Sequence, residues 1–168
     1  MTTTGLHVVL GASGGAGNAI ARSPLSCGRR VRGVNRTGTS DLPTDAELVA
    51  ADINDRAALM SAVADASVVY LAAQPAYDRW PAEFPAMIER VIAVCSAIDA
   101  KLVMVDNLYA YGPGHARITE STPFAATDTK GRTRAAMIER LLAAHRKGEV
   151  RVAIGQASDY FGPSGPLS

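Results

Sequence analysis

The sequence predicts a doubly wound parallel sheet of about six strands in a three-layer α/β/α arrangement, and three observations carry that prediction. Short apolar runs recur at six places, the runs are nearly continuous instead of alternating, and stretches of helical periodicity fall between them. Continuous apolar runs suit strands buried on both faces. Strands of that kind lie parallel only when helices cross over between them.

The first run, residues 6–10, breaks into glycines at Gly11, Gly14 and Gly17 and continues as a helical candidate over 15–27. Glycine lets the backbone turn sharply and approach a ligand with no Cβ in the way, and the amides at the start of the following helix attract an anion. With Ser13 and Gly15 in the same turn, the pattern reads as a phosphate cradle whose natural guest is a dinucleotide pyrophosphate. A tight strand-to-helix crossing is the plainer alternative. The G-x-x-G-x-x-G spacing only approximates the G-x-G-x-x-G fingerprint of a Rossmann-type fold, so the context carries the weight.

The second run, 31–34, ends at Asn35 and Arg36, and the polar stretch 37–46 shows no helical period before a third run at 47–51. Asp52 and Ile53 follow, then a helix over 55–65, so Asp52 is equally readable as a turn or capping residue. After the fourth run, 68–72, comes the clearest helix, 81–99. There Phe84, Met87, Ile88, Val91, Ile92, Cys95 and Ile98 fall on three- and four-residue steps as one apolar stripe.

The fifth run, 101–105, feeds a segment rich in Gly, Pro, Thr and Tyr over 107–129. It leaves the carboxyl edge of the sheet, where open α/β sheets bind ligands. A helix over 128–147 repeats the stripe with Met137, Ile138, Leu141 and Leu142, extended at its ends by Arg134 and His145. A sixth run at 150–154 leads to a closing Gly162-Pro163-Ser164-Gly165-Pro166 that reads as a loop or linker.

The 168 residues, 48% of them hydrophobic, suffice for one substantial core, so a single domain over 1–163 with a tail at 164–168 is expected. Seventeen Lys and Arg against sixteen Asp and Glu, scattered along the chain, give no basic face for nucleic acid or an anionic membrane. A small-molecule partner fits better. Cys27 and Cys95 sit in helical apolar stretches without metal spacing, so reduced core thiols and no metal site are expected. The absence of a signal-like or membrane-length apolar run leads to the expectation of a cytoplasmic protein.

Taken in order, Gly11-x-x-Gly14-x-x-Gly17, Asp52-Ile53, Leu71-Ala72-Ala73, Tyr111-Gly112-Pro113 and Tyr160-Phe161-Gly162-Pro163 stand at successive strand ends. This series resembles the extended short-chain dehydrogenase/reductase family, in its epimerase/dehydratase branch, over almost the whole chain. The resemblance implies an NAD(P)-binding Rossmann domain. It assigns the glycine turn to the pyrophosphate, Asp52 and Ile53 to the adenine, and Leu71, Ala72 and Ala73 to the nicotinamide-side ribose and phosphate. At the end of the second strand a carboxylate would select NAD. Neutral Asn35 beside cationic Arg36 instead favours the 2′-phosphate of NADP, with NAD the alternative.

The catalytic positions depart from the family. Its Ser position falls on Asn107, and its Tyr-x-x-x-Lys falls on Lys130-Gly131-Arg132-Thr133-Arg134. Asn107 retains an amide that orients an oxygen, and Lys130 and Arg134, one helical turn apart, suit a phosphate or carboxylate. Asn107 and Lys130 therefore count toward both the cofactor and the chemistry. Tyr109, two residues past Asn107, is the leading candidate proton donor if the strand continues that far, the plainer alternative being that it packs beneath the ligand or shapes the loop. Tyr111 is read as structural, His115 as a surface loop residue, and Asp106 as a cap or orienting group.

Extended members also resemble one another in a substrate domain after the Gly-Pro turn, whereas this chain stops shortly past Pro163. A fragment or a shortened relative is expected. The function implied is an oxidoreductase or epimerase/dehydratase-like protein for a small carbonyl, hydroxyl or nucleotide-sugar substrate. A redox-inactive NAD(P) sensor is the second reading and a ligand-free interaction domain the third. By the same analogy the helices at 81–99 and 128–147 pair two copies into a homodimer.

Overall fold

The computed structural model describes residues 5–114 and 117–158. His115, the Tyr160–Pro163 motif and the tail lie outside that range. The elements are β1 (Leu6–Leu10), α1 (Gly15–Ser26), β2 (Val31–Asn35), β3 (Glu47–Ala50), α2 (Arg56–Ala62), β4 (Ala66–Leu71), α3 (Trp80–Ala97), β5 (Lys101–Asn107), a 3-10 turn (Tyr109–Tyr111), α4 (Thr129–Arg146) and β6 (Val152–Ala157).

All strand pairs are parallel and the sheet order is β3-β2-β1-β4-β5-β6. The winding therefore reverses between β1 and β4, and a crevice opens at the carboxyl ends of those two strands. Register sets the level of that crevice: Leu10 pairs with Val34 on one side and with Leu71 on the other. Gly11, Asn35 and Ala72 consequently leave their strands at one height.

The larger core lies between the sheet and α2, α3 and α4, with Phe84, Ile88, Val91 and Cys95 packed on Val8, Leu10, Val69, Leu71 and Leu102. A smaller cluster of Val9, Ala12, Ala21, Val31 and Leu42 lies under α1. Asp55 caps α2 and Asp128 caps α4, each carboxylate accepting two backbone N–H bonds from the first turn. The stretch 37–46 forms no helix, as the sequence predicts.

Four expectations change. Cys27 is exposed, because α1 ends at Ser26 and Gly28, at φ +69°, turns the chain away from the core; only Cys95 is a buried thiol. Leu142 and His145 leave the α4 stripe for solvent, because the stripe drifts around the last turns of the helix and Ala144 takes the inward position. The last strand runs over Val152–Ala157, later than the apolar run, with Val150 buried just before it. Finally, β5 stops at Asn107, so Asn107 and Tyr109 do not share a strand face.

Candidate functional site

The crevice holds a cavity of about 840 Å³, in the range of small-molecule and cofactor sites. Its floor is the turn after β1. Gly11 has φ +90°, and a Cβ there would lie 2.7 Å from the Ala73 amide nitrogen, so the β1 and β4 turns touch only because this residue has no side chain. Gly17 is equally constrained: its Cβ would lie 2.2 Å from the Gly11 carbonyl oxygen, which locks α1 onto the turn. Gly14 is different. As N-cap of α1 it offers no side chain to the first-turn amides, and it lines the cavity beside Gly11 and Ser13. The positive end of α1 thus opens on the cavity.

One wall comes from β2 and β3. Asn35 spends its side chain on its own loop, accepting from the Thr37 amide, the Thr37 hydroxyl and the Gly38 amide, and donating to the Thr39 carbonyl. The Asn35 acceptor is thereby occupied, and the loop it folds presents exposed Arg36 at the cavity. Asp52 lines the cavity, and its Oδ1 accepts the Asn54 amide at 2.8 Å, the turn role the sequence offers. Ile53 lines the same wall.

The opposite wall is the connection from β4 to α3. Ala72 and Ala73 line the cavity, followed by Gln74, Pro75, Ala76 and Tyr77. Gly15, Gly17 and Leu71 do not line it; Gly17 and Leu71 are buried beneath it.

The residues expected to carry chemistry gather behind this second wall. Asn107 Oδ1 accepts the Tyr109 amide at 3.1 Å, the bond that folds the chain out of β5 into the 3-10 turn. Tyr109 is 40% exposed, its ring 5.9 Å from that of Trp80. Tyr111 is buried and donates its hydroxyl to Gln156 Oε1 at 2.7 Å, and burial raises its pKa. The Lys130 ammonium rests 3.1 Å from the centre of the Tyr77 ring.

Arg134 is 2% exposed. It donates to Asp106 Oδ1 at 2.9 Å and to Gln74 Oε1 at 2.8 Å, and its guanidinium lies over the rings of Trp80 and Phe84. Burial pushes the Asp106 carboxyl upward while the Arg134 charge pulls it back. Asp106 pairs with Arg134 and holds its guanidinium in place. None of Asn107, Tyr109, Lys130 and Arg134 lines the cavity; Gln74 and Tyr77 connect them to it.

Gln74, Tyr77 and Trp80 escaped the sequence reading. Trp80 is the only tryptophan of the chain, and its Nε1 donates to the Pro75 carbonyl at 3.2 Å, fixing the wall that Gln74 and Tyr77 occupy. Among the described residues there is no cluster of three His, Cys, Asp or Glu that could hold a metal, and no helix long and apolar enough to cross a membrane.

Solved structures share the architecture. MoeE5 in complex with UDP-glucose and NAD superposes with a TM-score of 0.73 at 22% identity, over 90% of this chain and 53% of that one. UDP-glucose 4-epimerase from Brucella ovis in complex with NAD gives 0.75 at 18% identity, over 90% and 51%. UDP-glucuronic acid 4-epimerase from Bacillus cereus in complex with NAD gives 0.78 at 17%, over 95% and 58%. The chain thus spans a little over half the length of these structures. No curated protein matches it in sequence. A family description, NAD dependent epimerase/dehydratase, matches residues 7–167. With nearly every residue inside that match and the parallel sheet it requires in place, the chain belongs to the NAD dependent epimerase/dehydratase family.

Proposed function

We propose that the chain binds NADP in the crevice, with NAD the weaker ligand, and serves an oxidoreductase or epimerase/dehydratase-type reaction on a nucleotide-sugar or other small carbonyl or hydroxyl substrate. The observation that carries the reading is the open first turn of α1 at Gly14, facing the large cavity at the sheet's switch point. A side chain on Gly14 would enter that space, since its Cβ meets only the Gly11 carbonyl, at 3.6 Å. The donor set suits a dinucleotide: amides and Ser13 for the pyrophosphate, Asp52 and Ile53 for the adenine, and Ala72 and Ala73 for the distal ribose and phosphate.

Arg36 supports the preference for NADP. No carboxylate ends β2, Asn35 is consumed by its loop, and among the described residues Arg36 forms no salt bridge, so its charge is free for a 2′-phosphate. When bound, the nicotinamide supplies hydride transfer. The chain's own contribution is to hold the two ends of the dinucleotide and to place a proton donor. In this reading Tyr109 hands the proton to the substrate oxygen and Asn107 shapes the turn that presents it. Lys130, stacked on Tyr77 behind the cavity wall, draws an anionic substrate group.

The same reading pairs two copies through α3 and α4, whose outer surfaces form an apolar groove between Pro85, Ala86 and Met137. It places the protein in the cytoplasm. Fluorescence titration with NADPH and NADH tests the binding, and absorbance at about 340 nm with a panel of UDP-sugars and simple carbonyls tests turnover. Saturable binding with NADPH the tighter ligand is expected, and no binding of either would overturn the reading. Binding without conversion of any panel member would favour the redox-inactive sensor.

A further inference from the structure

We infer that Gln74 reads the nicotinamide half of the dinucleotide, donating its side-chain amide to a neutral oxygen there, and that Arg134 sets the direction in which that amide points. The inference rests on the crevice being a dinucleotide site and adds a residue that neither the motifs nor the family pattern assign.

A glutamine side chain has an accepting end and a donating end, and its neighbours decide which faces where. Arg134 only donates. Its Nη2 lies 2.8 Å from Gln74, so the atom facing it must be the carbonyl Oε1, and the amide Nε2 is directed away. Among the described residues that Nε2 donates to nothing, and Gln74 lines the cavity. Arg134 is itself held in place, with Asp106 at 2.9 Å and the Trp80 and Phe84 rings against its guanidinium. The donor is therefore aimed before any ligand arrives, which lowers the ordering cost of binding.

Its place along the cavity gives its target. The sheet order puts Asp52 and Arg36 at the β2–β3 end, the cradle of Gly11 and Gly14 in the middle, and Gln74 at the β4 end. A ligand whose diphosphate sits on α1 and whose adenosine lies toward β2 must extend its second riboside past Ala73 to Gln74. The acceptors available there are a ribose hydroxyl and the carboxamide oxygen.

Four ligands test this by calorimetry on the parent and on Gln74→Ala: NADPH, NADH, ADP-ribose and 2′,5′-ADP. Loss of one net hydrogen bond predicts about threefold to tenfold weaker NADPH and NADH binding, with 2′,5′-ADP unchanged. A parallel loss for ADP-ribose assigns the contact to the ribose, and an unchanged ADP-ribose assigns it to the carboxamide; either supports the inference. Gln74→Glu keeps an oxygen toward Arg134 but removes the donor, so it should lose at least as much as Gln74→Ala.

Arg134→Lys preserves the charge beside Asp106 while giving up the fork that reaches Gln74. It should weaken NADPH to a similar extent, with no further loss when combined with Gln74→Ala. Unchanged NADPH binding in both Gln74 variants, with 2′,5′-ADP still bound, would overturn the inference. Additive losses in the double variant would overturn the positioning role of Arg134. If the parent binds none of the four ligands, the dinucleotide reading itself fails and this inference falls with it.

Discussion

Replacing Arg134 with methionine keeps much of the side-chain volume under the Trp80 and Phe84 rings but strands the Asp106 carboxylate. The pair is buried on both sides, with side-chain exposures of 2% and 0%. Removing one partner of such a pair costs about 3–5 kcal/mol, because the remaining charge is left desolvated. For a domain of this size that corresponds to a fall in Tm of roughly 6–20 °C. Circular dichroism melts and urea titrations at pH 8 measure it.

The pH dependence follows from the direction of the Asp106 shift. Burial raises this carboxyl, and the Arg134 charge is the largest of the influences that oppose the rise, ahead of hydrogen bonds from the Asn107 backbone and the Gln156 side chain. Without Arg134 the folded pKa climbs further above its unfolded value. A group so shifted favours the fold below the unfolded pKa, and that contribution is lost as pH rises through the folded one. Arg134→Met should therefore lie closest to the parent near pH 4 and furthest from it at pH 8. Adding Asp106→Leu should recover most of the loss at pH 8, since replacing both partners of a buried pair with apolar groups is often neutral. A cost below about 1 kcal/mol at pH 8, or a penalty that fails to shrink on acidification, would refute the reasoning.

Three further outcomes are expected. Gly17→Ala drives a Cβ to 2.2 Å from the Gly11 carbonyl and should destabilise by about 1–3 kcal/mol, whereas Gly14→Ala should fold with a loss under about 1 kcal/mol yet weaken NADPH binding. Equal thermal stability of the two variants would contradict this. Arg36→Ala should weaken NADPH about tenfold and leave NADH unchanged, read by fluorescence titration. Of the two thiols, exposed Cys27 should react with an aromatic disulfide reagent in the native protein. Buried Cys95, its pKa pushed up to about 12, should react only in denaturant.

The fold was legible because its signals are local. Continuous apolar runs mark β1, β4 and β5, and the three- and four-residue steps from Phe84 to Cys95 mark α3, since burial on both faces or along one stripe is written into neighbouring positions. The ends were harder. Whether the chain stays in β5 past Asn107 depends on one bond from the Tyr109 amide to the Asn107 side chain. That asparagine favours such a turn is known from its chemistry, but not whether a strand will override it. Cys27 shows the same limit, because Gly28 decides its exposure. Gln74 was hidden for another reason. Its partner lies 60 residues away, and nothing in Leu71-Ala72-Ala73-Gln74 announces an arginine on a later helix.

The arrangement explains how a chain with a buried arginine on α4 keeps an ordered wall beside the cavity. A cation buried behind the β4 wall would be costly alone, and here Asp106 and two aromatic faces compensate it. Arg134 itself does not line the cavity, and its contact with the cavity runs through Gln74, which accepts from its Nη2. The wall carrying Gln74 is in turn fixed by Trp80 at Pro75 and by the contact between Ala73 and Gly11. The glycine turn and the α4 cation are therefore parts of one packed unit, running from Gly11 through Ala73 and Gln74 to Arg134 and Asp106. A side chain at Gly11 would displace Ala73 and with it the neighbouring Gln74, so the first glycine of the motif governs both the middle of the cavity and its β4 end.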